Sequence, residues 1–376
     1  MKIALVSPYD FAYPGGVASH ITNLDTQLRR LGHDVRVIAP ASHAVNTFGE
    51  RFLPIGRPRS LPSSGSIIRI TLSLTLADHI RRVLNREEFD IVHLHEPFMP
   101  MLCSAVLRFS ETVNVGTFHA CEGVPGYYLG WPVIPFLVRR RARKLGGRIA
   151  VSRPALEYAR HHIPGEYEII PNGVDLRNFN PDVAPFPEYR NGKRNILFVG
   201  RLEKRKGLAY LLKAFLRVKR EMPDTRLIVV GTGTRLRRRY ERYVAQHGLQ
   251  DHVIFKGFVS EEDKARYFRT ADVYCSPATG HESLGVVLLE GLATGTPVVA
   301  SDIPGYSSVI TNGQDGLLFP RKDSRRLAES LLRVLDDRSL AERLSAAGLK
   351  TAAGYSWESV GERVAGFYQS VLAARG

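Results

Sequence analysis

The sequence predicts an α/β protein made of two Rossmann-like domains, each a doubly wound parallel sheet with helices on both faces. Three observations carry this. The chain has 376 residues, more than one ordinary core accommodates. A strand, a glycine turn and an amphipathic helix follow one another twice, at the start and again near residue 195. Each half then alternates short apolar runs with segments of helical period, the pattern of parallel strands joined by crossover helices.

The first strand is read at residues 3–6, its turn at Pro14, Gly15 and Gly16, and its helix at residues 17–31, stopped by Gly32. Later strands of the first half fall at 35–39, 91–94, 113–118 and 148–151. The second half opens with a strand at 195–200, a turn at 201–207 and a helix at 208–220, followed by strands at 226–231, 253–255, 272–275 and 297–301. Between the halves, Pro171-Asn172-Gly173 and the nearby Pro181, Pro185 and Pro187 have the composition of a linker. The expected domains are 1–180 and 190–355. A final helix in 356–376, with Val360, Val364, Phe367 and Val371 on one face, is free to pack on either domain or to cross back to the first. Ligands of such sheets sit beyond the carboxyl ends of the strands, so two sheets facing a central cleft place the site between them.

Composition is that of a globular protein, with 44% apolar and 24% charged residues. The opening residues 2–7 are apolar over too short a run for a secretory signal, and no apolar run reaches the roughly 18–20 residues of a membrane span. Cys103, Cys121 and Cys275 fit neither a disulfide framework nor a zinc spacing, which points to reducing cytoplasm. The net charge of +15 favours anionic partners: nucleotide, lipid headgroup or nucleic acid. Aromatic residues are not interleaved with the arginine clusters at 139–143 and 235–239 as stacking on nucleic acid requires, so no nucleic-acid partner is expected.

Candidate site residues cluster in the stretch HESLGVVLLEGLATGTPVVAS. Glu282 and Glu290 have seven residues between them, in a segment otherwise nearly all apolar, where a carboxylate needs a partner. Read as two turns of helix apart, they place Glu282 at a helix mouth and Glu290 deeper along the same wall. The N–H groups of Leu284, Gly285 and Val286 then point outward at that mouth, where the helix end suits a phosphate. Carboxylates for hydroxyls beside amides for phosphate describe a sugar nucleotide. Arg201 and Lys206 flank the turn after a buried strand and suit the charge that builds on a departing nucleoside diphosphate. At Gly15 and Gly16 the missing side chains let a backbone N–H come close to a phosphate. His119 ends a strand and suits a sugar hydroxyl. His93 and His95 share one face of their strand; without a third ligand spacing they read as structural, with Glu96. No Asp-x-Asp pair is present to hold a divalent ion, so the expectation is no metal and no cofactor, with Arg201 and Lys206 supplying the positive charge.

Eight motifs in order then resemble the retaining family 4 glycosyltransferases of GT-B fold: YPGGVASH, VHLHEP, GTFH, RIAVS, IIPNGVD, GRLEKRKG, ESLGVVLLE and GTPVVASD. Among the members, the chain is most similar to the phosphatidylinositol mannosyltransferases, which use GDP-mannose at the inner membrane face. The resemblance implies that Gly16 and the amides after Ser283 hold the diphosphate, Arg201 and Lys206 the leaving phosphates, His119 and Glu282 the donor sugar, and Glu290 the ribose. It also assigns Val259, Glu261 and Lys264 to base and ribose, and Tyr9 to the acceptor. A carboxylate at Glu261 matches the paired donors of guanine better than uracil. The sequence departs from these relatives at Phe98, Ala120, Cys121, Glu122 and Gly123, where they place polar or basic residues. Near Leu74 to Leu84 it keeps only Arg81 and Arg82 beside Asp78, which at about 1 kcal/mol per basic residue gives weak peripheral membrane contact at best.

The expected activity is therefore transfer of a hexose, foremost mannose from GDP-mannose, to a lipid-linked or other saccharide hydroxyl acceptor. Same-face substitution is expected, with the leaving phosphate taking the acceptor's proton. A UDP-sugar enzyme with a soluble acceptor is the second reading, and a non-catalytic basic binding protein the third.

Overall fold

Apolar runs of five or six residues become the interior strands of two parallel sheets in the computed structural model, which describes residues 1–63, 66–71, 73, 76–123, 133–233 and 235–375. The chain divides into two units: Met1–Asn172 together with the segment from Trp357 onward, and Gly173–Ser356.

The first unit's sheet runs Phe52–Pro54, Asp34–Ala39, Lys2–Val6, Ile91–His95, Val113–Phe118, Leu145–Ala150, Glu168–Ile169, every neighbouring pair parallel. Its interior strands are buried on both faces, so they read as continuous apolar runs and not as alternations. The second sheet runs Val253–Gly257, Thr225–Val230, Arg194–Val199, Val273–Ser276, Val298–Asp302, Leu317–Pro320, again parallel throughout. Both are doubly wound sheets. The order reverses between Lys2–Val6 and Ile91–His95 in one, and between Arg194–Val199 and Val273–Ser276 in the other, and ligands of such sheets gather at the carboxyl ends beside that reversal.

The helix Gly16–Arg30 ends on Gly32, whose φ of 83° closes the turn at the expected place. The helix Trp357–Ala373 belongs to the first unit. It buries Trp357, Val360, Val364, Tyr368 and Val371, and two glycines set its seat: a Cβ on Gly361 would lie 2.5 Å from Gln27, and one on Gly147 would lie 2.7 Å from Phe367.

Several elements differ from the sequence reading. The edge strands Phe52–Pro54, Glu168–Ile169 and Leu317–Pro320 are two to four residues long, too short to show a period. The antiparallel hairpin Pro58–Ser63 with Ser66–Thr71 was hidden by its serines and prolines. The proline-rich stretch after Gly173 is not a loose linker: Phe179 is buried against Phe268, and Phe186 lies 4.5 Å from Tyr267, so aromatic anchors pin it to the second unit. The helix sought near Leu74 runs Ala77–Glu87, with Leu74 itself outside the described residues. Its Arg81 lies 4.3 Å from the Phe109 ring and pairs with Asp78.

Candidate active site

Each unit carries its own cluster of candidate residues at the carboxyl end of its sheet. In the second unit, the strand Arg194–Val199 runs into Gly200 and a loop closed by the single turn Lys204–Lys206. Gly207 must be glycine here: its φ is 75° and a Cβ would lie 1.8 Å from the Pro277 carbonyl oxygen. That contact locks the basic loop onto the strand that leads to Glu282. Glu282 Oε1 then receives Arg205 Nη1 and Lys206 Nζ, each at 2.6 Å. Glu203 bridges outward, 2.8 Å from Arg205 Nε and 3.0 Å from Arg201 Nη1.

The basic pair nearest Glu282 is therefore Arg205 and Lys206, not Arg201 and Lys206. The Arg201 side chain is 56% exposed and joins only through Glu203, whereas Arg205 and Lys206 are at most 18% exposed. Burial opposes the charge on Arg205, but Glu282 and Glu203 outweigh it and raise its pKa. In a run with four cations, RLEKRKG, side-chain direction depends on the one-turn helix, which spacing alone did not disclose.

The two glutamates are placed differently from the expectation of two helical turns. The helix is Val286–Ala293, capped by Gly285 with φ 81°, so Glu282 lies on the loop before it and Glu290 one turn inside. A Cβ on Gly285 would lie 2.7 Å from the Tyr306 ring, so packing as well as φ reserves the position for glycine. The N–H groups of Leu284 and Gly285 meet no acceptor among the described residues, which leaves them available at this helix start. Ser283 is half-buried and Leu284 buried beside them.

Deeper along the helix, Lys264 Nζ lies 2.9 Å from Glu290 Oε1 and 3.0 Å from Glu261 Oε2. Glu290 is buried, its Oε2 has no partner, and burial raises its pKa against the pull of Lys264 and Lys206. An orphaned carboxylate oxygen in a buried position is costly unless a donor arrives, and a ribose hydroxyl is such a donor. The Glu261 carboxylate is 69% exposed and Val259 packs on the core below it.

In the first unit the cluster is neutral. His119 follows the strand Val113–Phe118, and its Nε2 lies 2.9 Å from His95 Nδ1. His20, one turn into the helix Gly16–Arg30, stacks edge-on against both rings and bonds Asn172 Oδ1 at 2.7 Å. Burial holds His20 at a pKa of about 4 and pushes His95 and His119 well below the ordinary value, so all three are neutral near pH 7. Glu96 does not pair with His93 or His95, as the sequence suggested. Its Oε1 accepts the backbone N–H groups of His119 at 2.7 Å and Ala120 at 2.8 Å, fixing where the His119 ring sits. Burial raises Glu96 to a pKa of about 7 despite those two donors. His93 is structural: its nitrogens meet Tyr368 Oη and Thr117 Oγ1, both at 2.6 Å.

The third imidazole absent from local spacing comes from His20, and the ligand atoms of His20, His95 and His119 lie within 4.8 Å of one another. Neutral imidazoles are the ligating form, so this trio is the group among the described residues able to take a metal ion. His95 Nδ1 is engaged with His119, while His95 Nε2 has no hydrogen-bond partner. Tyr9 sits at the end of the first strand, bonded to Ser7, and burial followed by the Glu96 charge keeps its phenol protonated. Beside Gly15 and Gly16 nothing lies within 4 Å of an added Cβ, so both keep open space at the start of their helix.

Two α/β units of this order, one carrying a basic loop and helix mouth and the other a histidine cluster, are the parts of a glycosyltransferase. Residues 14–178 match the family described as Glycosyltransferase Family 4, and residues 184–351 match Glycosyl transferases group 1. The chain belongs to these glycosyltransferases, with the GT-B fold. It is 38% identical to the phosphatidyl-myo-inositol mannosyltransferase of Mycobacterium leprae, over 99% of this chain and 97% of that one. It is 37% identical to the protein of that name from Mycobacterium tuberculosis, over the same shares. A solved glycosyltransferase from Rickettsia africae superposes with a TM-score of 0.82 at 18% identity, covering 99% of this chain and 98% of that one.

Proposed function

We propose that the protein transfers a mannosyl group from GDP-mannose to a hydroxyl of a lipid-borne acceptor, with retained anomeric configuration and without a metal ion. The observation that carries this is the second unit's row of paired charges, Arg205–Glu282–Lys206 and then Lys264–Glu290, spaced along one helix mouth. The full-length likeness to phosphatidyl-myo-inositol mannosyltransferases favours mannose and a lipid acceptor.

In this reading Glu290 takes the ribose hydroxyls through its unpartnered Oε2, and Lys264 and Glu261 border the base. The amides of Leu284 and Gly285 donate to the diphosphate. Lys206 and Arg205 hold the charge that grows on the leaving phosphate, which favours the transition state over the ground state. Their bond to Glu282 keeps both cations aimed at one point before the donor arrives, while the second carboxylate oxygen is left for a sugar hydroxyl. His119 bonds the sugar as a neutral imidazole, and Gly16 leaves room for the diphosphate. The acceptor hydroxyl attacks from the leaving-group side and gives its proton to the departing phosphate oxygen. Orientation and fixed charge supply most of the acceleration.

The test is to incubate the purified protein with GDP-mannose, UDP-glucose and UDP-N-acetylglucosamine, each with a phosphatidylinositol-containing lipid extract, and to weigh the products by mass spectrometry. A lipid heavier by one hexose, formed from GDP-mannose alone and in the presence of chelator, is expected. Product from a UDP-sugar instead, or none from GDP-mannose, overturns the reading.

A further inference from the structure

A cavity opens at the opposite end of the first sheet from His119. It has a volume of about 460 Å³ and lies where the strands Val113–Phe118 and Leu145–Ala150 begin. That size suits a molecule of hexose phosphate dimensions.

Its wall combines two kinds of feature that nothing in the transfer reaction uses. The first is a pair of polar groups left without partners: Ser110 Oγ and Asn114 Oδ1, in side chains each only 2% exposed. Asn114 Nδ2 is already committed to the Thr112 carbonyl at 2.9 Å, so what remains is one hydroxyl donor and one amide acceptor. Buried polar groups in folded proteins are seldom left so. The second feature is positive charge. Lys144 Nζ donates to the carbonyls of Arg108 and Ser110 at 2.7 and 2.9 Å, and Arg375 Nη2 to that of Glu111 at 3.1 Å. These bonds orient the cations without neutralising them. Arg143 completes the set, exposed and in no ion pair among the described residues. Among the described residues the one acidic side chain on the wall is Glu111, so three basic side chains face a single acidic one.

We infer that this cavity binds a small phosphorylated polyol, its phosphate on Arg143, Arg375 and Lys144 and a hydroxyl between Ser110 and Asn114. A hydroxyl is donor and acceptor at once, which matches the unpartnered pair. A bound water would satisfy that pair equally but leaves three cations against the single carboxylate of Glu111. Charge-assisted bonds from two guanidinium groups suit phosphate geometry.

Isothermal titration of the whole protein with glucose 6-phosphate as probe tests this, with glucose and inorganic phosphate as comparison ligands. Saturable binding of glucose 6-phosphate is expected, with each comparison ligand at least about tenfold weaker. The double variant Arg143→Glu/Arg375→Glu should weaken binding at least about tenfold, and Ser110→Ala about threefold to tenfold, while Lys206→Ala leaves it unchanged. Ser110→Ala removes an unpaired buried hydroxyl, so its melting temperature should hold or rise; this keeps the test valid if the double variant folds poorly. No binding, binding unchanged in both wall variants, loss in Lys206→Ala, or inorganic phosphate as tight as the sugar phosphate each overturns the inference.

Discussion

The two candidate clusters differ in the kind of polarity they offer. In the second unit, Glu282 and Glu290 each sit against cations, and every participant carries full charge or is drawn towards it by its neighbour. In the first unit, His20, His95 and His119 are neutral, and Glu96 is the one acid bonded to the cluster, through the backbone N–H of His119. The difference matches two tasks. A leaving diphosphate changes charge during transfer and needs fixed charge to meet it, whereas sugar hydroxyls stay neutral and need donors and acceptors at set positions.

The largest effect should come from the junction of the charged row. Glu282→Ala removes a hydroxyl acceptor and the anchor of both cations, and should reduce transfer by about 10³-fold or more with the protein still folded, as circular dichroism and steady-state rates would report. Near-normal turnover would break the contrast. Gly16→Val comes next: the position has open space, so melting should be unchanged while donor affinity, read by titration with GDP, falls. Arg201→Ala sharpens the comparison within the row. Because Arg201 is exposed and joined only through Glu203, its loss should lower kcat less than tenfold, in contrast to the deeper Arg205.

A pH test separates the two clusters. Glu96 has its pKa raised to about 7 by burial and takes a proton below that value, which weakens its hold on the His119 N–H. kcat/KM should therefore fall as pH drops through about 7, and Glu96→Gln should remove that limb. Stability runs the other way. A carboxyl whose folded pKa is raised contributes stability that is fully present below its unfolded value of 4.5 and is lost as pH rises through about 7. The melting temperature of wild type relative to Glu96→Gln should thus decline from pH 5 to pH 8. A limb retained in Glu96→Gln would assign the titration elsewhere.

The sheets were legible because interior parallel strands are apolar on both faces, and the opening strand of each unit leads into a glycine-containing turn, at Gly15 and Gly16 and at Gly200. Short edges such as Glu168–Ile169 and the serine-rich hairpin carry no such signal. Of the site, Glu282 and Glu290 were legible because a carboxylate inside an apolar segment demands a partner, and each has one; Lys206 was legible from its place after a buried strand, and Lys264 only from the family resemblance. Arg205 was hidden among its basic neighbours, since only the turn Lys204–Lys206 decides which of them faces Glu282. His20 was missed because its partners, His95, His119 and Asn172, are distant in sequence. One signal was available: His20 lies four residues after Gly16, one turn along the same helix, and so shares its mouth.

The central claim is that Lys206, held by Glu282, stabilises the charge leaving with the nucleotide. Single-turnover transfer from saturating GDP-mannose by Lys206→Ala tests it most directly. The account predicts a rate at least about a hundredfold below wild type with an unchanged melting temperature, because Arg205 still satisfies Glu282. A rate within threefold of wild type would contradict it.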